Sequence, residues 1–511
     1  MTNKKWKAPL LEHLTAFAKL APASFHVPGH RNGTVYLRLL TEHSQLSHHF
    51  EAISQIAQLD VTELSHTDDL HDPQGVIAEA QKLAAALYES EHCFFLVGGS
   101  TAGNLALVLS LCEEQDTIIM QRNVHKSLIN ACKLAGANVV FLQPELEPST
   151  QLSVIPSLDT VEEALRRFPH AKAVFLTNPN YYGLSSDLTA YAELVHRFNI
   201  PLIIDEAHGA HYGIAPYSPR SSITTGADAV VQSTHKTLPA FTMGAMLHIQ
   251  GPYIKQESIQ QQLAMLESSS PSYLIMSSLD MARAVLDCYG SKWFAQSYAL
   301  RQQLIDWLGQ HSRLDIALLP EESRYSQDPY RLLLYDTKQE LSGYELQRRL
   351  EKYGVWAEMS TPIYVVLVWH MAMTEDELER LKTVLLELSQ DTESEAESKV
   401  MPAAVPKQTL KRLIAADKAI LEANAQLAIS EPISFNRCQP QLTRIINLVE
   451  AEGMQCAEMI VPYPPGIPVL YERETITADH IREIRRYIEG GARFQGKAAN
   501  DVLERIKVFA R

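Results

Sequence analysis

The sequence predicts an α/β protein whose main domain holds a mostly parallel sheet covered by helices, joined by a small α+β domain and a C-terminal unit. Three observations predict it. From about residue 76, short β-rich runs alternate with helical stretches of roughly 10–15 residues. Those runs are apolar throughout rather than alternating, as in strands buried on both faces. And the residues with chemical potential collect where the runs stop, at the carboxyl ends where an open α/β sheet forms its ligand crevice.

The elements follow in order. Residues 1–75 read as an N-terminal arm. Its basic start passes into a partly apolar stretch, but Glu12, His13 and Lys19 interrupt it. An amphipathic helix over 9–20 is therefore expected, not the unbroken apolar core of a signal peptide. FHVPGH (25–30), one polar helix and VTELSHTDDLHDPQG (61–75) complete the arm. Residues 76–312 are expected to form the large domain. VIAEAQKLAAALY (76–88) is helical by periodicity and Ala/Leu content. Strands are predicted at CFFLVGG (93–99), TIIMQ (117–121), NVVFLQP (138–144), AKAVFLT (171–177), PLIIDEA (201–207), DAVVQST (228–234) and GAMLHI (244–249). Helices dominate from 251 to 312. Residues 313–388 read as the small domain, with strands at RLLLYD (331–336) and IYVVLVW (363–369) and helices at 343–354 and 374–388. The polar stretch 389–400 has the composition of a linker, and 401–511 forms the C-terminal unit, with the Pro-rich insert VPYPPGIPVL (461–470).

Composition narrows the function. Lys+Arg 45 against Asp+Glu 60 leaves a formal charge of −15 over 511 residues, which disfavours nucleic acid as a partner. No apolar run approaches the ~20 residues of a membrane span. Six scattered cysteines with no metal-ligand spacing suggest reduced thiols in a cytoplasmic protein and no metal site.

Three strand ends carry candidate chemistry. PLIIDEAHGAHYG (201–213) ends an apolar strand at Asp205; alone, that residue would more commonly be a helix N-cap. VVQSTHKTL (230–238) ends in Ser233, Thr234, His235 and Lys236, the last a candidate Schiff-base amine, although most lysines are ordinary surface residues. FLVGGSTAGNLALVLSL (95–111) sets small and hydroxyl residues before an apolar helix, an anion site or simply a tight turn. It is neither of the glycine fingerprints for dinucleotides or nucleoside triphosphates. Together the three ask for one ligand bearing a phosphate, a basic ring nitrogen and an aldehyde, which describes pyridoxal 5'-phosphate. His125, after TIIMQ, lies at a further strand end.

FHVPGHRNG (25–33), DVTELSHTDDLHDPQG (60–75), RNVHKS (122–127), TNPNYYG (177–183), DEAHGAH (205–211), STHKTLPAFTMGA (233–245) and VPYPPGIPVL (461–470) occur in the order found in one family. In these motifs the chain resembles the bacterial pyridoxal-phosphate-dependent Orn/Lys/Arg decarboxylases of aspartate-aminotransferase-type fold (fold type I), in particular the short Gram-positive arginine decarboxylase type. The resemblance is weakest over 401–457. It implies that Lys236 forms the cofactor Schiff base, Asp205 pairs with the pyridine nitrogen and His125 stacks on the ring. It further implies that Ser100, Thr101, Ala102 and Ser233 hold the phosphate, that Ala207 packs below the ring, and that His208 and His235 lie beside it. A cationic substrate side chain calls for carboxylates, for which Glu63, Asp68, Asp69 and Glu358 are candidates. The implied reaction is decarboxylation of a basic L-amino acid, with arginine to agmatine in polyamine biosynthesis favoured. Lysine or ornithine decarboxylation is the alternative, with an aminotransferase or a non-catalytic homologue further off. The resemblance also implies at least a homodimer with its active site at the interface.

Overall fold

The computed structural model describes residues 5–42, 47–390, 428–435, 442–463, 468–489 and 492–510. The expected linker beyond residue 390, the start of the C-terminal unit to 427 and the centre of the Pro-rich insert (464–467) lie outside the described residues. The chain forms two compact units, each built from separate segments. The first draws on Met1–Leu111, Pro201–Ala215 and Arg220–Lys292, the second on Cys112–Ile200, Pro216–Pro219 and Trp293–Arg511.

In the first unit four strands lie side by side in the order His92–Leu96, Ala245–Ile249, Ala229–Gln232, Leu202–Asp205. Leu202–Asp205 and Ala229–Gln232 are parallel. Ala245–Ile249 runs antiparallel to both of its neighbours. Three carboxyl ends therefore emerge on one edge, at Leu96, Gln232 and Asp205, and the amino end of the reversed strand joins them. All four strands are buried over nearly their full length, which accounts for their unbroken apolar runs. Helix Gly99–Leu111 packs so closely that a Cβ on Gly103 would come within 2.8 Å of the Leu96 side chain and 3.1 Å of Val231. The arm begins with helix Pro9–Lys19, whose Leu10 and Leu11 N–H groups donate to Asp280 Oδ2. Asp280 is in turn paired with buried Arg283 at 2.6 Å, so the arm is anchored to helix Tyr273–Val285. Where one polar helix was expected before VTELS, there are two, Thr34–Glu42 and Ser47–Ala57.

The second unit contains parallel strands Val174–Thr177, Thr117–Gln121 and Asn138–Leu142, with Ile433–Ser434 added antiparallel at the edge. It also holds an antiparallel sheet in the order Met359–Ser360, Val365–Val368, Arg331–Asp336, Leu314–Ile316. Helices Gly343–Lys352 and Glu375–Gln390 accompany that sheet. The C-terminal segment has a small core of its own, including Leu448, Ile460, Leu470, Ile476, Ile484, Val502 and Val508. It pairs Thr443–Ile446 with Ile506–Phe509.

Candidate active site

Strand Leu202–Asp205 delivers Asp205 to the edge at 2 % exposure. Its Oδ2 accepts from Asn104 Nδ2 at 3.1 Å, and its Oδ1 accepts from Ala207 N at 3.1 Å. No helix starts there, so the N-cap reading of Asp205 does not apply. A buried carboxylate held this way is oriented for a cationic or N–H partner, since ionised acceptors form the stronger hydrogen bonds.

From the neighbouring strand, Ser233 leads into a short 3-10 turn, Thr234–Lys236. Lys236 Nζ lies 3.1 Å from Nε2 of buried His208. His235 is locked by the reversed strand: its N–H donates to Gly244 O at 3.1 Å and its Nδ1 lies 2.9 Å from the same oxygen. Ser233 Oγ donates to Ser100 Oγ at 2.8 Å, tying the lysine turn to the first turn of helix Gly99–Leu111. Ala102 is buried and Thr101 is exposed. Gly99 has φ +76°, a left-handed conformation that favours glycine and turns the chain from strand into helix. The turn is braced from beyond the strand by Glu267 Oε1, which accepts from Val97 N at 2.9 Å and Gly98 N at 2.7 Å.

One edge of the first unit thus assembles Ser100, Thr101, Ala102, Asp205, Ala207, His208, Ser233, His235 and Lys236. Asn104 and Glu267 are additional. Both act through partners distant in sequence; the only local hint was Asn104, one turn after Ser100 on the same helix.

His125 belongs to the second unit. It follows strand Thr117–Gln121 and caps helix Lys126–Ala135, its Nδ1 accepting from Ser127 N at 3.3 Å and lying 2.8 Å from Ser127 Oγ. Glu358, also in the second unit, is exposed. The remaining carboxylates lie in the arm. Asp68 accepts from the N–H groups of Gln74, Gly75 and Ile77, capping helix Val76–Tyr88. Partial burial would raise the Asp68 carboxyl, but these N–H groups together outweigh it and hold the pKa below the ordinary carboxylate value. Asp69 Oδ1 accepts from His71 N. Glu63 accepts from the Thr62 hydroxyl, and its buried Oε1 has no hydrogen-bond partner among the described residues.

The donor set fits pyridoxal phosphate. An amine for its aldehyde, a buried carboxylate for its ring nitrogen and a hydroxyl-rich helix N-terminus for its phosphate share one strand edge. Among the described residues no group of His, Cys, Asp and Glu could hold a metal ion, and no helix is long and apolar enough to cross a membrane.

Comparison with known proteins agrees with this chemistry. The family profile described as "Orn/Lys/Arg decarboxylase, major domain" matches residues 8–304, and the profile for the "C-terminal domain" of the same family matches 415–498. The chain is 38% identical over 498 residues to the uncharacterized protein YaaO of Bacillus subtilis (strain 168), spanning 96% of both. It is 30% identical over 510 residues to the arginine decarboxylase of the same organism, spanning 98% of both. The crystal structure of the Francisella novicida lysine decarboxylase LdcF superimposes with a TM-score of 0.76 at 20% identity, covering 98% of this chain and 81% of that one, a likeness of fold. The chain belongs to the Orn/Lys/Arg decarboxylase family and is a fold-type I, pyridoxal-phosphate-dependent enzyme that decarboxylates a basic amino acid.

Proposed function

We propose that the substrate is L-arginine and the products agmatine and CO₂, a step toward polyamines. The observation that carries this reading is a set of relatives named arginine decarboxylase, 28–30% identical over 91–99% of this chain. Relatives named lysine decarboxylase that align over 95–96% of it are 21–22% identical.

When bound, pyridoxal phosphate supplies an electron sink for the pair left behind as CO₂ departs. The chain's own residues do the rest. Lys236 is the amine that would hold the cofactor's aldehyde, and His208 Nε2, 3.1 Å from its Nζ, is placed to hydrogen-bond it. Asp205, steadied by Asn104 and Ala207 N, would hold a proton on the ring nitrogen. Ser100, Thr101, the Ala102 N–H and Ser233 would bind the phosphate, Ala207 would pack below the ring with His208 and His235 beside it, and His125 would stack on its face. Among Glu63, Asp68, Asp69 and Glu358, Glu63 is the strongest anchor for the guanidinium, because its buried Oε1 lacks a partner whereas Asp68 is committed to a helix cap. The arm (1–75), large domain (76–312), small domain (313–388), linker (389–400) and C-terminal domain (401–511) are the proposed functional divisions. A homodimer is proposed from the apolar side chains that the arm exposes. A cytoplasmic location is proposed from the buried free thiols Cys93, Cys112, Cys132 and Cys456.

The test is CO₂ release from arginine, lysine and ornithine measured in parallel. Arginine should give at least roughly tenfold higher kcat/KM than either competitor, about 1.4 kcal/mol of transition-state discrimination. A preference for lysine or ornithine overturns the arginine reading. Lys236→Ala should lose both CO₂ release and the visible absorption of the bound cofactor while keeping its far-ultraviolet circular dichroism.

A further inference from the structure

The loop between strand Thr117–Gln121 and helix Lys126–Ala135 carries His125, and the C-terminal domain grips it on both sides. Three residues before His125, the Arg122 guanidinium bonds both carboxylate oxygens of Glu474, at 2.5 and 2.9 Å. Arg122 Nη2 also donates to Val469 O at 3.1 Å and lies 3.3 Å from His480 Nε2. The guanidinium sits 5.2 Å from the Tyr471 ring centroid and 5.9 Å from that of Phe141, two rings that stack on each other. The Tyr471 hydroxyl donates to the Arg122 carbonyl oxygen, fixing the backbone as well as the side chain. One residue after His125, Lys126 Nζ donates to Gln495 Oε1 at 3.1 Å.

A fork-to-fork Arg–carboxylate pair fixes direction as well as distance. Arg122 and Glu474 are 20% and 13% exposed, so desolvation consumes much of their Coulombic attraction, and such a pair is a weak stabiliser. Its geometry is what it contributes. We infer that Arg122 and Glu474 are positioning residues: the C-terminal domain clamps the Arg122–Lys126 loop and thereby holds His125 in its working orientation. This inference rests on the reading of His125 as the residue covering the cofactor ring.

The test compares holoenzyme variants by kcat, KM and the visible-region circular dichroism of the bound cofactor, which reports how the ring is held. Glu474→Gln should bind cofactor, keep KM near the wild-type value and lose roughly ten- to hundredfold in kcat, the scale expected for a misplaced catalytic group. Its visible dichroism should change in the same sense as that of His125→Ala, and Glu474→Asp should recover part of both signals. If Glu474→Gln does not give soluble protein, Tyr471→Phe keeps the ring but loses its hydroxyl bond to the Arg122 carbonyl and should show the same changes at smaller amplitude. Lys133→Met removes a nearby ion pair to Glu472 that does not touch the loop, and should leave kcat unchanged. If His125→Ala is impaired while Glu474→Gln matches wild type, the clamp is wrong and the His125 reading survives. If His125→Ala is itself indistinguishable from wild type, the His125 reading falls, and the inference with it. A loss in Lys133→Met equal to that in Glu474→Gln would mean general domain docking rather than positioning, and overturns it too.

Discussion

Asp205 and Glu206 are adjacent carboxylates with different work. Asp205 faces the strand edge with Asn104 and Ala207 N. Asp205→Asn should leave the fold intact and lower kcat by roughly 10²–10³-fold, the usual scale for deleting a buried electrostatic partner of the reacting system. A variant with wild-type kcat would remove Asp205 from the mechanism. Glu206 accepts from Ser222 N, Ser221 Oγ and Gln232 Nε2. Burial pushes its carboxyl up to about 7 despite those donors. Gln232 Oε1 lies 3.2 Å from His248 Nε2, and His248 Nδ1 lies 3.2 Å from Ser90 Oγ. Burial pushes His248 down to about 3. The two groups pull stability in opposite directions. Folded Glu206 keeps a proton that the unfolded chain has lost between its ordinary value of 4.5 and about 7, so its contribution falls as pH rises through that window. Folded His248 refuses a proton that the unfolded chain accepts below 6.5, so its contribution rises with pH from about 3 to 6.5. Between 4.5 and 6.5 the two slopes oppose each other. Relative to wild type, the Tm of His248→Gln should fall across that interval and that of Glu206→Gln should rise. Thermal scans with parallel profiles for the two variants would refute the assignment.

Helix Val76–Tyr88 shows what local sequence can and cannot reveal about an element. Its apolar spacing makes it legible, and its bounds coincide with the expected 76–88. Its cap is not legible: Gly75 occupies the N-cap position, and the capping oxygens come from Asp68, seven residues upstream across a turn. Asp68→Ala should therefore lower Tm by an amount equivalent to about 1 kcal/mol, readable by calorimetry, with little change in KM for arginine. A large rise in KM would instead return Asp68 to the substrate site. The same limit runs through the fold. Asp205, Ser233–Lys236 and the Gly98–Gly103 turn were legible because apolar strand runs stop at them. The reversal of Ala245–Ile249 was not, because composition carries no strand direction. Leu314–Ile316 and Met359–Ser360 are too short for periodicity to register. Asn104 with Asp205, Glu267 with Gly98 and Arg122 with Glu474 are pairs joined only by tertiary structure, 101, 169 and 352 residues apart.

At the scale of the molecule, the arm exposes several large apolar side chains. Leu20, Phe25, Val27, Val35, Leu37, Ile53 and Ile56 are all exposed, and helix Thr34–Glu42 has no buried residue. Large apolar side chains left exposed along one segment mark a candidate interaction face. Light scattering should therefore give twice the 57.3 kDa chain mass or a multiple of it, and Phe25→Asp with Leu37→Asp should shift the protein toward monomer with loss of activity. A monomeric, active wild type would dispose of the dimer. The brace on the turn before helix Gly99–Leu111 has a consequence in time. Val97 and Gly98 are held by a carboxylate that lies 170 and 169 residues further along the chain. At ~5–20 residues per second of synthesis, the nascent turn waits on the order of ten seconds for its brace. A chain arrested on the ribosome short of Glu267 has the strand-to-helix turn at Val97 and Gly98 without the carboxylate that braces it. The last hydrogen bonds of this turn thus form well after the first strand has left the tunnel.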